Sequence, residues 1–214
     1  MTIANTHDPF TLLQSVGVSR ETYERLCVYV DELMLWQNRF NLISPHTIPQ
    51  IWQRHILDCA QLLQLRPHAR HWVDLGSGAG LPGLVLACAL AEKPGTHVHL
   101  VESNGKKASF LHHCVQKLAL PASIHHGRIE NMLPKLTNID IVTARALASL
   151  DDLLAYSNLL LKNGAVGLFM KGQDAEEELT KAQKRWHFTY TLYPSMTESQ
   201  SRIIVVENLC STSR

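Results

Sequence analysis

The run Val73-Asp74-Leu75-Gly76-Ser77-Gly78-Ala79-Gly80-Leu81-Pro82-Gly83 joins an apolar stretch to three glycines at alternate positions, after which Leu81-Pro82 opens a helix. Glycine lets a backbone turn tightly and approach a ligand where a Cβ would collide, here at the carboxyl end of a strand. Three alternate glycines are conformationally costly without such a use, so a small, close-fitting cofactor is implied. Glu102 closes the next apolar run, Leu100-Val101-Glu102, twenty-two residues after Gly80. A carboxylate there can accept both hydroxyl hydrogens of an adenosine ribose. Gly78-x-Gly80-x-x-Gly83 also meets the dinucleotide fingerprint formally, which keeps a nicotinamide cofactor in view.

The elements that must hold this turn can be read from periodicity. From His71 onward, short β-rich runs alternate with helical stretches, the signature of βαβ units and a parallel sheet. Strands are expected at His71 to Leu75, His97 to Val101, Ser123 to His126, Asp140 to Ala144 and Ala165 to Met170. Helices are expected at Leu81 to Leu90, Lys106 to Leu118, Leu150 to Leu161 and Ala175 to Trp186. Phe188 to Tyr193 and Arg202 to Glu207 are strand-like, and the linker between them is too short for a helical crossover, which predicts an antiparallel hairpin. Residues 1–67 read as a helical cap packed on the core, and 68–214 as the main domain. Asp8-Pro9 caps a first helix and Ser19 a second, with Tyr23, Leu26, Val30 and Leu33 on one face. A third is expected from Ile48 to Leu65.

Composition excludes several classes. With 20 Lys plus Arg against 19 Asp plus Glu, the formal charge is +1, unlike a dedicated nucleic-acid-binding module. Apolar residues at 45% suffice for a core and exclude disorder as the dominant state. The amino terminus lacks a cationic segment followed by an apolar stretch, and the longest apolar run, Leu84 to Ala91, is far short of a membrane span, so a soluble cytoplasmic chain is expected, plausibly a monomer. Five cysteines at irregular spacing, with no CxxC pair, fit a reducing compartment. His97-x-His99, His112-His113-Cys114 and His125-His126 tempt a metal reading. Neighbouring residues diverge on a strand or a helix, however, and no metal is expected.

The register of the glycine turn separates the two cofactors. Counted from the strand it reads Asp74-x-Gly76-x-Gly78-x-Gly80, with an acid before the first glycine, and resembles motif I of S-adenosylmethionine methyltransferases. In that class the acid helps orient the cofactor's amino-acid end, directly or through water. The terminal hairpin supports the same choice, because dinucleotide-binding sheets usually finish with a parallel sixth strand. The expected fold class is therefore α/β: a seven-stranded, mostly parallel Rossmann-like sheet of a class I methyltransferase, with a C-terminal antiparallel hairpin and an N-terminal helical region. None of the five cysteines follows proline, as cytosine C5 chemistry requires, and Asp140-Ile-Val-Thr-Ala-Arg145 replaces the Asn/Asp-Pro-Pro-aromatic turn of enzymes acting on adenine amines.

Asp74 to Gly83, Leu100-Val-Glu-Ser103, Gly127-Arg-Ile-Glu130, Thr143-Ala-Arg-Ala-Leu-Ala-Ser149 and Met170-Lys-Gly172 together resemble the RsmG/GidB family. So do Trp36-x-x-x-x-Asn41-Leu42 and Arg54-His55-Ile-Leu-Asp58 in the helical front. The resemblance covers nearly the whole chain and implies a bacterial enzyme that makes N7-methylguanosine in a decoding-region loop of 16S ribosomal RNA, acting on that RNA or on the small ribosomal subunit. One departure is Cys59, where the family usually has serine. The family's cofactor contacts fall on Gly76, Leu81, Ile129, Glu130 and Arg145, and Gly78 and Glu102 join them on the geometric argument above. The resemblance implies that the backbone at Ile129 and the carboxylate of Glu130 meet the adenine edge. Arg145 could hold the methionine carboxylate or position the target nucleotide.

Guanine N7 has a free lone pair and no proton, so direct in-line attack needs no acid or base, no covalent intermediate and no metal. The base must be unpaired or extruded, because the major groove of A-form RNA is too deep and narrow to read. Candidate RNA contacts are Arg54, Lys106 and Lys171 foremost, with Arg39, Lys107 and Lys162. Lys181-x-x-Lys184-Arg185 reads better as a solvated, self-paired helix face. A small-molecule or protein methyltransferase, and a non-catalytic regulator that binds S-adenosylmethionine or associates with ribosomes, are the competing functions.

Overall fold

A computed structural model describes residues 8–211. The amino-terminal stretch 1–7, read above for a targeting segment, lies outside the described residues. Asp8 accepts from the Thr11 amide and starts α1 (Pro9–Gln14), with proline in the first turn. Ser19 accepts from the Thr22 amide and starts α2 (Arg20–Gln37), which buries Leu26, Tyr29, Val30 and Leu33 on its repeating face.

The third expected helix is not one helix. A 3-10 segment (Pro45–Gln50) leads into a π-helical stretch (Trp52–Leu57), followed by α3 (Asp58–Ala60) and α4 (Leu62–Leu65). Pro49 has no amide hydrogen and interrupts the ladder. Widened π turns recur at functional sites, and this one carries Arg54 and His55 and hands on to Asp58, three residues that all contact Arg145.

The sheet has seven strands in the order β3-β2-β1-β4-β5-β7-β6, from β1 (His71–Leu75), β2 (His97–Glu102), β3 (Ala122–His126), β4 (Ile141–Arg145), β5 (Val166–Lys171), β6 (Trp186–Pro194) and β7 (Arg202–Ser211). Only β7 runs against its neighbours, pairing Phe169 with Ile204 on β5 and Leu192 with Ile204 on β6. The expected hairpin is present but longer. Trp186, expected to end the last helix, begins β6 instead.

The remaining helices are α5 (Gly83–Leu90), α6 (Gly105–Lys117), α7 (Ile129–Met132), α8 (Leu150–Lys162) and α9 (Ala175–Ala182). The helix expected from Leu81 therefore begins two residues later, with Pro82 at its cap.

One core joins Leu26, Tyr29 and Leu33 of α2 to Leu84 and Val85 of α5, Phe110 of α6 and Leu100 of β2, so the front helices share the sheet's core. The other face buries Val73, Val142 and Ile204 beneath Leu153, Leu154 and Leu179 of α8 and α9. Strand order reverses between β1 and β4. At such a switch point the crevice outside the carboxyl ends of the strands is the place for a ligand. Among the described residues no helix is long and apolar enough to cross a membrane.

Candidate functional site

The glycine turn caps this crevice and is held from below. The Gly78 amide donates to Glu102 Oε2 at 2.8 Å and the Asn104 amide donates to Oε1 at 2.7 Å. Each carboxylate oxygen keeps a second lone pair, so Glu102 is fixed yet still able to accept hydroxyl hydrogens. Gly78 has φ +56°, and a Cβ there would meet nothing closer than the Gly76 carbonyl oxygen at 3.7 Å. Glycine here supplies a left-handed backbone and open space above the turn. Gly83 answers a different need, because a Cβ would lie 2.1 Å from Leu100 Cδ2 and 2.7 Å from Asp74 Oδ2.

Asp74 acts from beneath the turn. It is buried under the turn, where Oδ1 accepts from Thr143 Oγ1 at 2.9 Å and Oδ2 from the Gly83 amide at 3.2 Å. It ties β1, β4 and the start of α5 together. Burial, opposed by these hydrogen bonds, pushes its pKa up to about 7. The unfolded carboxyl loses its proton near pH ~4. Between that pH and about 7 the folded chain binds the extra proton, so this group's contribution to stability falls as pH rises. Asp74→Asn cannot ionise, so its stability relative to the wild type should climb with pH across that interval. Thermal unfolding of both proteins at several pH values checks this, and a pH-independent difference would remove the assignment.

A cavity of about 260 Å³ over the turn is lined by Gly76, Gly78, Leu81, His55, Lys107 and Arg145, among others. Four predicted cofactor residues, Gly76, Gly78, Leu81 and Arg145, are thus brought together, with Glu102 anchored beside them through Gly78. Ile129 and Glu130 are not in this lining. They start α7 beyond the edge strand β3, held at the same end of the sheet by the Gly127 amide donating to the Glu102 carbonyl at 3.0 Å. Ile129 is half-buried and Glu130 exposed.

Arg145 is committed to the front helices. Nη2 donates to the Arg54 carbonyl at 2.9 Å, Nε lies 3.3 Å from Asp58 Oδ2, and Nη1 faces His55 Nδ1 at 3.1 Å and Cys59 Sγ at 3.9 Å. A guanidinium can only donate, so His55 Nδ1 accepts and its Nε2–H donates to Thr47 Oγ1 at 2.7 Å. Burial, aided by Arg145 and Arg54, lowers the His55 pKa to about 4 and keeps the ring neutral. Asp58 Oδ1 accepts from Gln61 Nε2, Ser195 Oγ and Thr197 Oγ1 at 2.8 to 3.0 Å, which straps the β6–β7 loop to the front helices. Cys59 is thus a weak acceptor for Arg145.

A second cavity, of about 320 Å³, shares Arg145 and Ala146 with the first and extends past the ends of β5 and β7, where Lys171, Glu198 and Arg202 line it. Ala146 at the junction has φ +52°. Strain of this kind costs ~1–3 kcal/mol and clusters at functional sites. Leu147, next in the chain, packs against Gly76.

Of the predicted RNA contacts, Arg54 forms an exposed pair with Glu198 at 3.3 Å, and Lys106 lies over the Phe40 ring, 5.2 Å from its centroid. Lys171 corrects its expectation. Its ammonium turns inward to Glu178 at 2.6 Å and the Ala148 carbonyl, and its side chain is 8% exposed, so its charge is already matched. Lys181 pairs with Glu177 along α9, the self-paired face the spacing predicts. His99 Nδ1 and His125 Nε2 hydrogen-bond at 2.9 Å across β2 and β3, and His97 bonds Ser123. No group of three or more His, Cys, Asp or Glu side chains among the described residues could hold a metal ion.

Sequence reasoning missed Ala146, Ser195, Thr197, Glu198 and the site role of Arg202. Only the polar run Ser195-Met-Thr-Glu-Ser-Gln-Ser201 signalled a loop rich in hydrogen-bonding groups.

The profile of the GidB family, rRNA small subunit methyltransferase G, matches residues 22–205. The chain is 50% identical over 198 residues to the ribosomal RNA small subunit methyltransferase G of Methylorubrum populi, covering 92% of this chain and 94% of that protein. It is 48% identical over 201 residues to the protein of that name from a Bradyrhizobium species, covering 94% and 90%. In structure it is similar to the O-methyltransferase TomG from Streptomyces achromogenes, solved in complex with SAM, with a TM-score of 0.59, 16% identity and coverage of 84% of this chain and 89% of that one. An O-methyltransferase from Bacillus cereus, solved with SAH, has the same TM-score and identity over 85% and 91% of the chains.

Proposed function

We propose that this chain, which belongs to the GidB family of small-subunit rRNA methyltransferases, transfers a methyl group from S-adenosylmethionine to N7 of a guanine in a decoding-region loop of 16S ribosomal RNA. The observation that carries the reading is the pair of adjoining cavities. One lies over the glycine turn and the other beside it at the strand ends, with Arg145 and Ala146 common to both.

The residues fit the cofactor. Gly78 leaves room for close approach, and Glu102, held by two backbone amides, offers its remaining lone pairs to ribose hydroxyls. Gly76 and Leu81 line the rest of that cleft, and Ile129 and Glu130, at the start of α7 at the same end of the sheet, are assigned to the adenine edge. When bound, S-adenosylmethionine supplies an electrophilic methyl group on a sulfonium.

The protein's part is positioning. Guanine N7 carries a lone pair and no proton, so no side chain has to act as acid or base. Nor does a cysteine serve as nucleophile: burial pushes the Cys59 thiol far above its ordinary pKa, leaving it protonated. Arg145, locked by Asp58 and the Arg54 carbonyl, forms a rigid wall shared by the cofactor cleft and the second cavity. Arg54 and Lys106 supply a local cationic rim for RNA, with few phosphate contacts and hence a shallow salt dependence.

Mass spectrometry of small-subunit RNA from cells with and without the protein tests the reading. N7-methylguanosine should be lost with the protein, and its persistence would overturn the proposal.

A further inference from the structure

Resting on the methyl-transfer reading above, we propose that the second cavity seats the extruded guanine and that the Glu198 carboxylate reads its Watson–Crick edge. The cavity's volume of about 320 Å³ is within the usual range for small-ligand sites, ~300–1,000 Å³. Guanine differs from the other bases in presenting N1–H and N2–H as parallel donors, and a carboxylate is their matching pair of acceptors.

Three carboxylates line the cavity, and two are closely paired with cations. Asp58 accepts from Gln61, Ser195 and Thr197 on one oxygen and faces Arg145 with the other. Glu178 Oε2 takes both the Lys171 ammonium and the Leu150 amide at the head of α8. Glu198 is different. Its Oε2 makes one long contact, 3.3 Å to Arg54 Nη1, between side chains 42% and 45% exposed, and Oε1 has no hydrogen bond among the described residues. An ion pair this exposed is weak and open to exchange.

The loop that carries Glu198 is nonetheless held firmly. Ser195 and Thr197 are bonded to Asp58, and the Met196 amide donates to Gln61 Oε1 at 2.9 Å. A base could therefore replace Arg54 on Glu198 without reorganising the loop. The exchange also releases the Arg54 guanidinium at the cavity wall, where it can meet the nucleotide's phosphate. Purine geometry completes the assignment. N7 lies on the side of the fused rings opposite N1 and N2, so a guanine anchored at Glu198 turns N7 toward the Arg145–Ala146 junction, where the cavity meets the cofactor cleft.

The test compares wild type, Glu198→Gln and Glu198→Ala on small-subunit RNA carrying either guanosine or inosine at the target. Inosine lacks only the N2 amino group. Both variants should lose about 10- to 100-fold in kcat/KM on guanosine RNA, while calorimetry shows unchanged affinity for S-adenosylmethionine. Wild type should prefer guanosine to inosine by about tenfold or more, and the variants should bring that ratio close to one. A purely structural role in the loop would depress both substrates equally and leave the ratio intact, which would overturn the assignment, as would wild-type rates in the variants. If the wild type methylates neither RNA, the methyl-transfer reading fails and takes this inference with it. Normal wild-type methylation with an unaltered ratio in the variants removes this inference alone.

Discussion

Asp58→Ala is expected to lower the unfolding free energy by about 3 kcal/mol or more and to abolish methyl transfer. One carboxylate here neutralises Arg145 and accepts from Gln61, Ser195 and Thr197. Removing one partner of a buried pair typically costs ~3–5 kcal/mol, because the other charge is left uncompensated. Side-chain exposures of 13% for Asp58 and 21% for Arg145 put the expected cost at the lower end of that range. Activity should fall further than stability predicts, since the same residue straps the β6–β7 loop to the front helices and so shapes the second cavity. Asp58→Asn keeps an acceptor for the hydroxyls but not the charge, and should lie between alanine and wild type. Denaturant unfolding of all three proteins, with activity measured well below the transition, checks the order. Native stability in the alanine variant would show that the strap is dispensable.

Glu102→Ala should weaken S-adenosylmethionine binding by at least about 100-fold. Hydrogen bonds to a charged acceptor contribute ~1.5–3 kcal/mol each, and two ribose hydroxyls together correspond to two or more orders of magnitude in Kd. The Gly78 and Asn104 amides also lose their acceptor, so the turn itself loosens. Glu102→Gln retains one acceptor oxygen but sets an amide donor against a backbone donor, and an intermediate loss is expected. Calorimetric titration of the three proteins decides the matter, and binding within tenfold of wild type in the alanine variant would remove Glu102 from the cofactor site.

The parts of the site legible in sequence are those made by local chain geometry. A left-handed glycine, a carboxylate at a strand end and a helix opening after proline are all written within a few residues, and Gly76, Gly78, Leu81 and Glu102 stand together as their spacing predicts. The hairpin was equally legible, because a linker too short for a helical crossover leaves only antiparallel pairing. Side-chain commitments were not. Lys171 at the end of an apolar strand reads as a free cation until Glu178, from the next helix, is seen to take it. The hydrogen bonds of Asp74 to Thr143 from β4 and Gly83 from α5 are likewise invisible from its neighbours in sequence.

The sequence by itself determined the sheet class, the glycine cradle and the family, since each depends on residue types at fixed offsets along the chain. Only the tertiary structure decided which charged groups remain available. It joined the π turn at residues 52–57 to Arg145 and brought the β6–β7 loop onto Asp58. It also left Glu198 as the most loosely paired carboxylate of the second cavity. The physical reason is that backbone conformation answers to neighbours in sequence. The state of a charge, by contrast, is set by whichever partners the fold brings within hydrogen-bonding distance, and here those partners are separated by as many as 144 residues.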